Sequence, residues 1–225
     1  MKSGQLIFTV IFSVFSYSGT IAQTDSTING VNYYTKRYYT ATRTESTPKI
    51  DGILNEECWN LGLWSGGFRQ WIPVEGAPPS NPSEIKILYD YENVYVGFKC
   101  YDSEMDKMRR IFDSRDQKSG DVIGIAFDSY NDDKTAFEFN LTSAGQKIDV
   151  KHIGDNAYDM TWNANWNGAS AVFDSGWSAE MKIPLSQLRY INQKDQSWGL
   201  YVYRLIDRFQ EEDHWQLLPL SLIHI

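Results

Sequence analysis

From Asp121 to Asp149 the chain reads DVIGIAFDSYNDDKTAFEFNLTSAGQKID, two runs of alternating side chains joined by an acidic turn and followed by a third run. Ile123, Ile125 and Phe127 alternate on the first run, and Phe137, Phe139 and Leu141 on the second. This is the period-2 spacing of half-buried strands. The opposite face carries Gly124, Ala126, Ala136, Glu138 and Asn140, small or polar side chains that leave room for a ligand above the sheet. The pattern recurs on GWSAEMKIP, where Trp177, Ala179, Met181 and Ile183 point one way and Ser178, Glu180 and Lys182 the other. If both runs belong to one sheet, Glu138, Asn140, Glu180 and Lys182 converge on a single polar surface together with Arg204.

The remaining patterns extend an all-β reading. Glu84 to Tyr89 and Val94 to Tyr101 form a hairpin across Asp90–Asn93. Ala169 to Asp174 and Gly176 to Ile183 form another, which Pro184 ends before a short helical turn from Leu185 to Tyr190. Trp198 to Arg208 is a further strand, and Asp213 to Leu218 the last. Val31 to Arg43 is expected at an edge, and Asp51-Gly52 marks a turn ahead of a short helical or irregular piece that packs Trp59 inward. Gly62 to Pro82, with its glycines and prolines, predicts a loop whose Trp64, Phe68 and Trp71 form a lid or rim. Ile153 to Gly168 is a loop that carries Trp162 and Trp166. No period repeats, which argues against a solenoid or propeller.

Composition narrows the setting. Lys2, the apolar run Leu6 to Phe15 and the small residues up to Ala22 describe an export signal spanning residues 1–22, with cleavage before Gln23. That run is shorter than the ~20 residues that a membrane span needs. Residues 23–47 then make a leader and edge strand, and residues 48–219 a single β domain. A net charge of −8 and no basic cluster argue against nucleic acid. Cys58 and Cys100 are too few for a stapled framework; they are either one disulfide or two small buried side chains.

IDGILNEECW, EIKILYDYENVYVGFKCYD, the FDSYND turn, GWSAEMKIP and SWGLYVYRLIDR, in this order over Ile50 to Arg208, resemble the family 9 carbohydrate-binding modules and their DOMON-like relatives. PLSQLRY with Arg204, Arg208, Glu211 and Trp215 is similar to the amino-terminal domain of large exported Bacteroidota proteins, in which a β-rich domain of unknown function follows. The resemblance implies a two-sheet antiparallel β-sandwich of jelly-roll type and binding of oligosaccharide or polysaccharide. It also implies bound calcium and a place in the periplasm, outer membrane or cell surface of a Gram-negative bacterium, within a polysaccharide-handling protein. In the family two tryptophans sandwich the terminal sugar. One of them falls here on Lys118, the family's hydrogen-bonding Glu on Gly124 and its Arg on Glu138, while its Asn is kept as Asn140. A comparable sandwich then draws on Trp162, Trp166 or Trp71. The ending SLIHI resembles a translated sequencing adapter, so residues 220–225 are expected to be foreign and the chain to be a piece of a longer protein with a missing C-terminal domain.

The chemistry leaves two readings of the carboxylates. Glu138 and Glu180 are either the acid and base of a glycoside hydrolase or members of an ion network with Lys182 and Arg204. The network is the simpler choice, and with it binding without catalysis. His152, His214 and His224 have no metal-ligand spacing, against a zinc enzyme or a Ser-His-Asp hydrolase. Asp128, Asn131, Asp132 and Asp133 offer oxygen ligands for calcium in one turn, or form a plain solvated turn. Neither haem nor nucleotide is expected; Met160 with His152 is the one pair resembling a haem ligand set.

Overall fold

The computed structural model describes residues 7–8, 26–28, 31–113, 118–154, 157–191 and 195–217. The expected export signal, apart from Ile7–Phe8, and the expected foreign tail at 220–225 lie outside the described residues. The sandwich strands follow in chain order. They are β1 (Thr42–Arg43), β2 (Arg69–Ile72), β3 (Ser83–Tyr89), β4 (Asn93–Tyr101), β5 (Val122–Asp128) and β6 (Thr135–Thr142). Then come β7 (Lys147–Ile153), β8 (Ala157–Asp159), β9 (Asn167–Phe173), β10 (Gly176–Pro184), β11 (Gly199–Ile206) and β12 (Glu211–His214).

They form two sheets, as the alternation requires of strands with one apolar face. One has seven strands in the order β8-β7-β6-β5-β11-β12-β2, and the other five in the order β9-β10-β4-β3-β1. Pairing is antiparallel except at β1, which runs parallel to β3 at the edge. Ile123, Ile125, Phe127, Phe137, Phe139 and Leu141 of the large sheet meet Val96, Phe98, Trp177, Ala179, Met181 and Ile183 of the small one in a single core. Trp166 meets Phe139 edge to face at 5.4 Å, and Trp162 lies 5.2 Å from Phe137 and 5.7 Å from Phe139. Buried aromatic contacts of this kind add ~0.5–1.5 kcal/mol each beyond their area.

Several expectations are corrected here. Glu138 and Asn140 stand on β6 in the seven-stranded sheet and Glu180 and Lys182 on β10 in the five-stranded one, so the two pairs face away from each other on opposite outsides of the sandwich. Arg204 lies on neither outside. It shares the inner face of β11 with the buried Val202 and Ile206, fully buried, and donates to the Asn81 and Pro82 carbonyls at 3.4 and 3.2 Å and to the Ser83 hydroxyl at 3.1 Å. The presumed loop from Gly62 to Pro82 holds β2, an edge strand, and its Phe68 belongs to the core. Of Val31 to Arg43, only Thr42–Arg43 joins the sandwich; Arg37, upstream, clamps the segment by donating to the carbonyls of Gly66 at 2.6 Å, Gly67 at 3.0 Å and Trp215 at 2.5 Å. Cys58 and Cys100 are both buried free thiols.

Candidate functional site

The five-stranded sheet is covered on its outer side by residues of its own chain. Ile50, Leu54, Cys58 and Trp59 pack on Leu88 and Tyr95, a second small core outside the main one. The Asp51-Gly52 turn lies so close to β9 that a Cβ on Gly52, whose φ is +88°, would sit 2.5 Å from the Ser170 backbone carbon. Glu180 is the anchor of this cover. Its Oε2 accepts from the amides of Asp51 at 3.0 Å and Gly52 at 2.8 Å, and its Oε1 from the Trp59 indole at 2.8 Å. Gly97, beside Glu180 in the sheet, makes the room, because a Cβ there would lie 2.9 Å from the Trp59 ring. Lys182 sits at the margin, its ammonium 6.0 Å from the centre of the Tyr95 ring.

The outer side of the seven-stranded sheet is built differently. β5 presents Gly124 and Ala126 outward between the tyrosines of β11 and the polar residues of β6. In the strand register Asn140, Gly124, Tyr203 and His214 lie side by side on four consecutive strands. Tyr203 and Asn140 lean toward each other over the glycine, so that a Cβ on Gly124 would fall 2.1 Å from the Tyr203 ring and 2.2 Å from the Asn140 Oδ1. The room expected above Gly124 is therefore filled, and what fills it is a polar cluster.

Glu138 is the hub of that cluster. Its Oε1 receives the Tyr203 hydroxyl at 3.1 Å and the Lys118 ammonium at 3.3 Å, and its Oε2 lies 2.5 Å from Nε2 of His152. The Tyr203 hydroxyl is also 2.7 Å from the Asn140 Oδ1 and accepts from Lys118 at 2.5 Å. Burial alone would raise the Glu138 carboxyl, but the His152 hydrogen bond and the Lys118 charge outweigh it and hold it at about 2. Burial, with the Glu138 charge beside it, pushes the Tyr203 phenol well above 10, which keeps it a donor. The Nδ2 of the fully buried Asn140 has no partner among the described residues. Lys118 and His152 are the accessible members, with 41% and 38% of their side chains exposed.

Toward the β2 edge the cluster continues. The Tyr201 hydroxyl is 2.9 Å from Nε2 of His214, and both converge on Oε1 of Glu212, at 3.3 and 2.6 Å. Trp71 stacks flat on the His214 ring, with centroids 5.4 Å apart and planes 13° off parallel.

Among the residues expected at a site, the structure brings Glu138 and Asn140 together and places Glu180, Lys182 and Arg204 elsewhere. Trp162 and Trp166 are core fillers: Trp166 is buried and donates from its indole to Asp149 at 2.7 Å, and Trp162 packs on the same phenylalanines. The Asp128–Asp133 segment is held by its own backbone. Asp128 accepts from the amides of Asp132 and Asp133 at 3.2 and 2.8 Å, and Asp132 from those of Lys134 and Thr135 at 2.9 and 2.7 Å. Asn131 and Asp133 take left-handed φ values of 53° and 55° in that turn. No set of three His, Cys, Asp or Glu side chains that could hold a metal gathers there or elsewhere among the described residues. Lys118, His152, Tyr201, Tyr203 and His214 were not read as site residues. Alternation on GLYVYRLI puts both tyrosines opposite Val202, so these two were legible.

An antiparallel β-sandwich with one sheet face covered and the other carrying clustered hydrogen-bonding groups beside aromatic rings is the architecture of a binding module. The chain belongs to the carbohydrate family 9 binding domain-like family, whose model matches residues 50–212. It is similar in fold to a family 9 carbohydrate-binding module of Caldicellulosiruptor kristjanssonii solved with glucose, at a TM-score of 0.57 and 18% identity over 80% of this chain and 85% of that one. A family 9 carbohydrate-binding module of Caldicellulosiruptor kristjanssonii solved with cellotriose gives 0.56 and 17% over 78% and 82%. A Bacteroides uniformis ATCC 8492 protein named as a candidate carbohydrate binder gives 0.61 and 12% over 79% and 88%. No curated protein matches the chain.

Proposed function

We propose that the outer face of the seven-stranded sheet binds saccharide and performs no chemistry on it. The observation that carries this reading is the Glu138–Tyr203–Asn140–Lys118–His152 cluster on the outer side of the seven-stranded sheet, where the Lys118 and His152 side chains reach solvent. Sugar hydroxyls donate and accept at once, and this cluster offers an ionised carboxylate, an amide, a phenol and an ammonium within reach of one another. Family membership and the fold shared with modules solved with glucose and cellotriose support saccharide binding by the chain. The hydrolase alternative loses its pair, because carboxylates flanking a glycosidic bond must stand within ~10 Å of each other on one site and Glu138 and Glu180 lie on opposite outsides of the sandwich. Export, surface localisation and a place in a larger polysaccharide-handling protein belong to the same reading, supported by the residue pattern of Met1 to Ala22. The test is a glycan array with the full chain, followed by calorimetry on any hit with Asn140→Ala and Tyr203→Phe. The expected result is saccharide binding that both substitutions weaken; an array with no saccharide bound overturns the proposal.

A further inference from the structure

A sheet edge is a row of backbone donors and acceptors with nothing opposite, and proteins guard such rows by shortness, charge, proline or a bulge. Three of the four edges of this sandwich are guarded in that way. β8 is three residues long and carries Asp159, and β1 is two residues long and ends on Arg43. β2 begins with Arg69, ends against Pro73 and meets β12 through a register shift. β9 is the exception. Its seven residues, NGASAVF, include no charge and no proline, and all of them pair with β10 without a bulge. Among the described residues, Asn167–Phe173 make no backbone hydrogen bond beyond that pairing.

This edge is also held in shape. The two-residue turn Asp174-Ser175 sets Phe173 opposite Gly176, so Phe173, Ala171 and Ala169 spend their N–H and C=O groups on β10 while Val172, Ser170 and Gly168 turn theirs outward. The Asp51-Gly52 turn packs on the Ser170 backbone from the outer side, and on the other side the Ser170 hydroxyl donates to the Ser143 carbonyl at 3.0 Å. A strand fixed beforehand loses little entropy when it pairs. The outward groups are symmetric about Ser170. Laid antiparallel on a second copy, Ser170 faces its own counterpart and Val172 faces Gly168, and each facing pair exchanges two hydrogen bonds. The same register carries the exposed Asp174 of one copy to the Trp166 end of the other. There the Lys147 ammonium lies 2.7 Å from the Trp166 carbonyl and has no ion pair among the described residues, so the two ends complement each other in charge. At the Asp174 end Val172, 46% exposed, stands beside Met105, Met108 and Phe173 and supplies apolar surface for the pairing to cover. From these observations we infer that two copies of this chain dimerise through β9, pairing it antiparallel with itself about a two-fold axis at Ser170 and joining their five-stranded sheets into one.

The experiment is sedimentation velocity of the full chain over a concentration series from low micromolar to near millimolar, with amide hydrogen exchange read at both ends of the series. One strand pair covers less surface than a standard interface, so the expected dimer is weak and reversible. In it the amides of Gly168, Ser170 and Val172 exchange more slowly than in the monomer. Val172→Pro removes an outward donor and leaves the bonds to β10 in place, and it should weaken the dimer about tenfold or more. Asp174→Lys, in the exposed turn, sets like charges at the Lys147 ends and should weaken it severalfold; adding Lys147→Glu should restore it. Should Val172→Pro not fold, the turn variant and its rescue still decide. A chain that is monomeric at every concentration overturns the proposal. So does a dimer in which the three amides exchange as they do in the monomer, or one that neither substitution weakens.

Discussion

Each outside of this sandwich centres on one glutamate at an outward strand position, and the two are solvated in opposite ways. Glu180 is buried under the Ile50–Trp59 segment and accepts from two backbone amides and an indole, with no ion pair among the described residues; burial pushes its carboxyl up to about 7 against those three donors. Glu138 is nearly as buried, yet it meets Lys118, His152 and Tyr203, and is held at about 2. Lys118 and His152, which hold Glu138 ionised, reach solvent and can be shared with a ligand. The groups that bind Glu180 are fixed in the chain. A buried carboxylate thus marks a structural anchor where the backbone satisfies it, and a site where exposed side chains do.

The largest effect expected from this contrast is at the anchor. Glu180→Ala strands the Trp59 indole and two amides under the cover and should cost ~3 kcal/mol or more of stability in urea unfolding, without altering the saccharide affinity of the protein that remains folded. A loss below ~1 kcal/mol would break the comparison. The mirror experiment is Asn140→Ala, which should weaken saccharide binding by ~1–3 kcal/mol by calorimetry and cost less stability than Glu180→Ala, since it gives up the one Tyr203–Asn140 hydrogen bond where Glu180→Ala gives up three.

The two glutamates also predict a pH dependence. In the unfolded chain a Glu carboxyl titrates near 4.5, and the folded-state value of Glu180 lies above this, as that of Asp213 at about 8 lies above the 3.8 usual for Asp. The folded state therefore keeps protons that the unfolded state releases, and stability must fall as pH rises from about 4 to about 8. We expect more than ~1 kcal/mol to be lost between pH 5 and pH 8, with a shallower slope in Glu180→Gln. Glu138 has the other sign: its depressed value stabilises the fold fully above pH ~4.5, and this is lost only as pH falls toward about 2. A melting temperature that is flat from pH 5 to 8 would show that Glu180 and Asp213 are hydrated in solution. The smallest effect is at the cysteines. Both thiols are free and buried, with Cys100 pushed up to about 12 by burial, so dithiothreitol should leave the melting curve unchanged and thiol reagents should react only on unfolding.

Local pattern carried a large part of the fold. The alternation of Phe137, Phe139 and Leu141, or of Trp177, Ala179, Met181 and Ile183, fixes which side of a strand is core, because a period of two is a property of the strand itself. The hairpins at Asp90–Asn93 and Ser175-Gly176 and the Asp51-Gly52 turn were legible for the same reason. Of the site, Glu138 and Asn140 were readable as outward and polar. Alternation cannot say which sheet a strand joins, and so Glu180 and Lys182 read as partners of Glu138 when they belong to the other outside. That assignment depends on pairing between strands far apart in sequence, such as Gly124 with Tyr203 or Glu180 with Gly97. Only tertiary structure decided that Ile50–Trp59 covers the outside of the five-stranded sheet, that Arg204 turns inward with Val202, and that Trp166 fills the core while Trp162 packs against it. The physical reason is one throughout: side-chain direction is set by the neighbouring residues, whereas what lies opposite a side chain is set by whichever distant segment buries the most apolar surface against it.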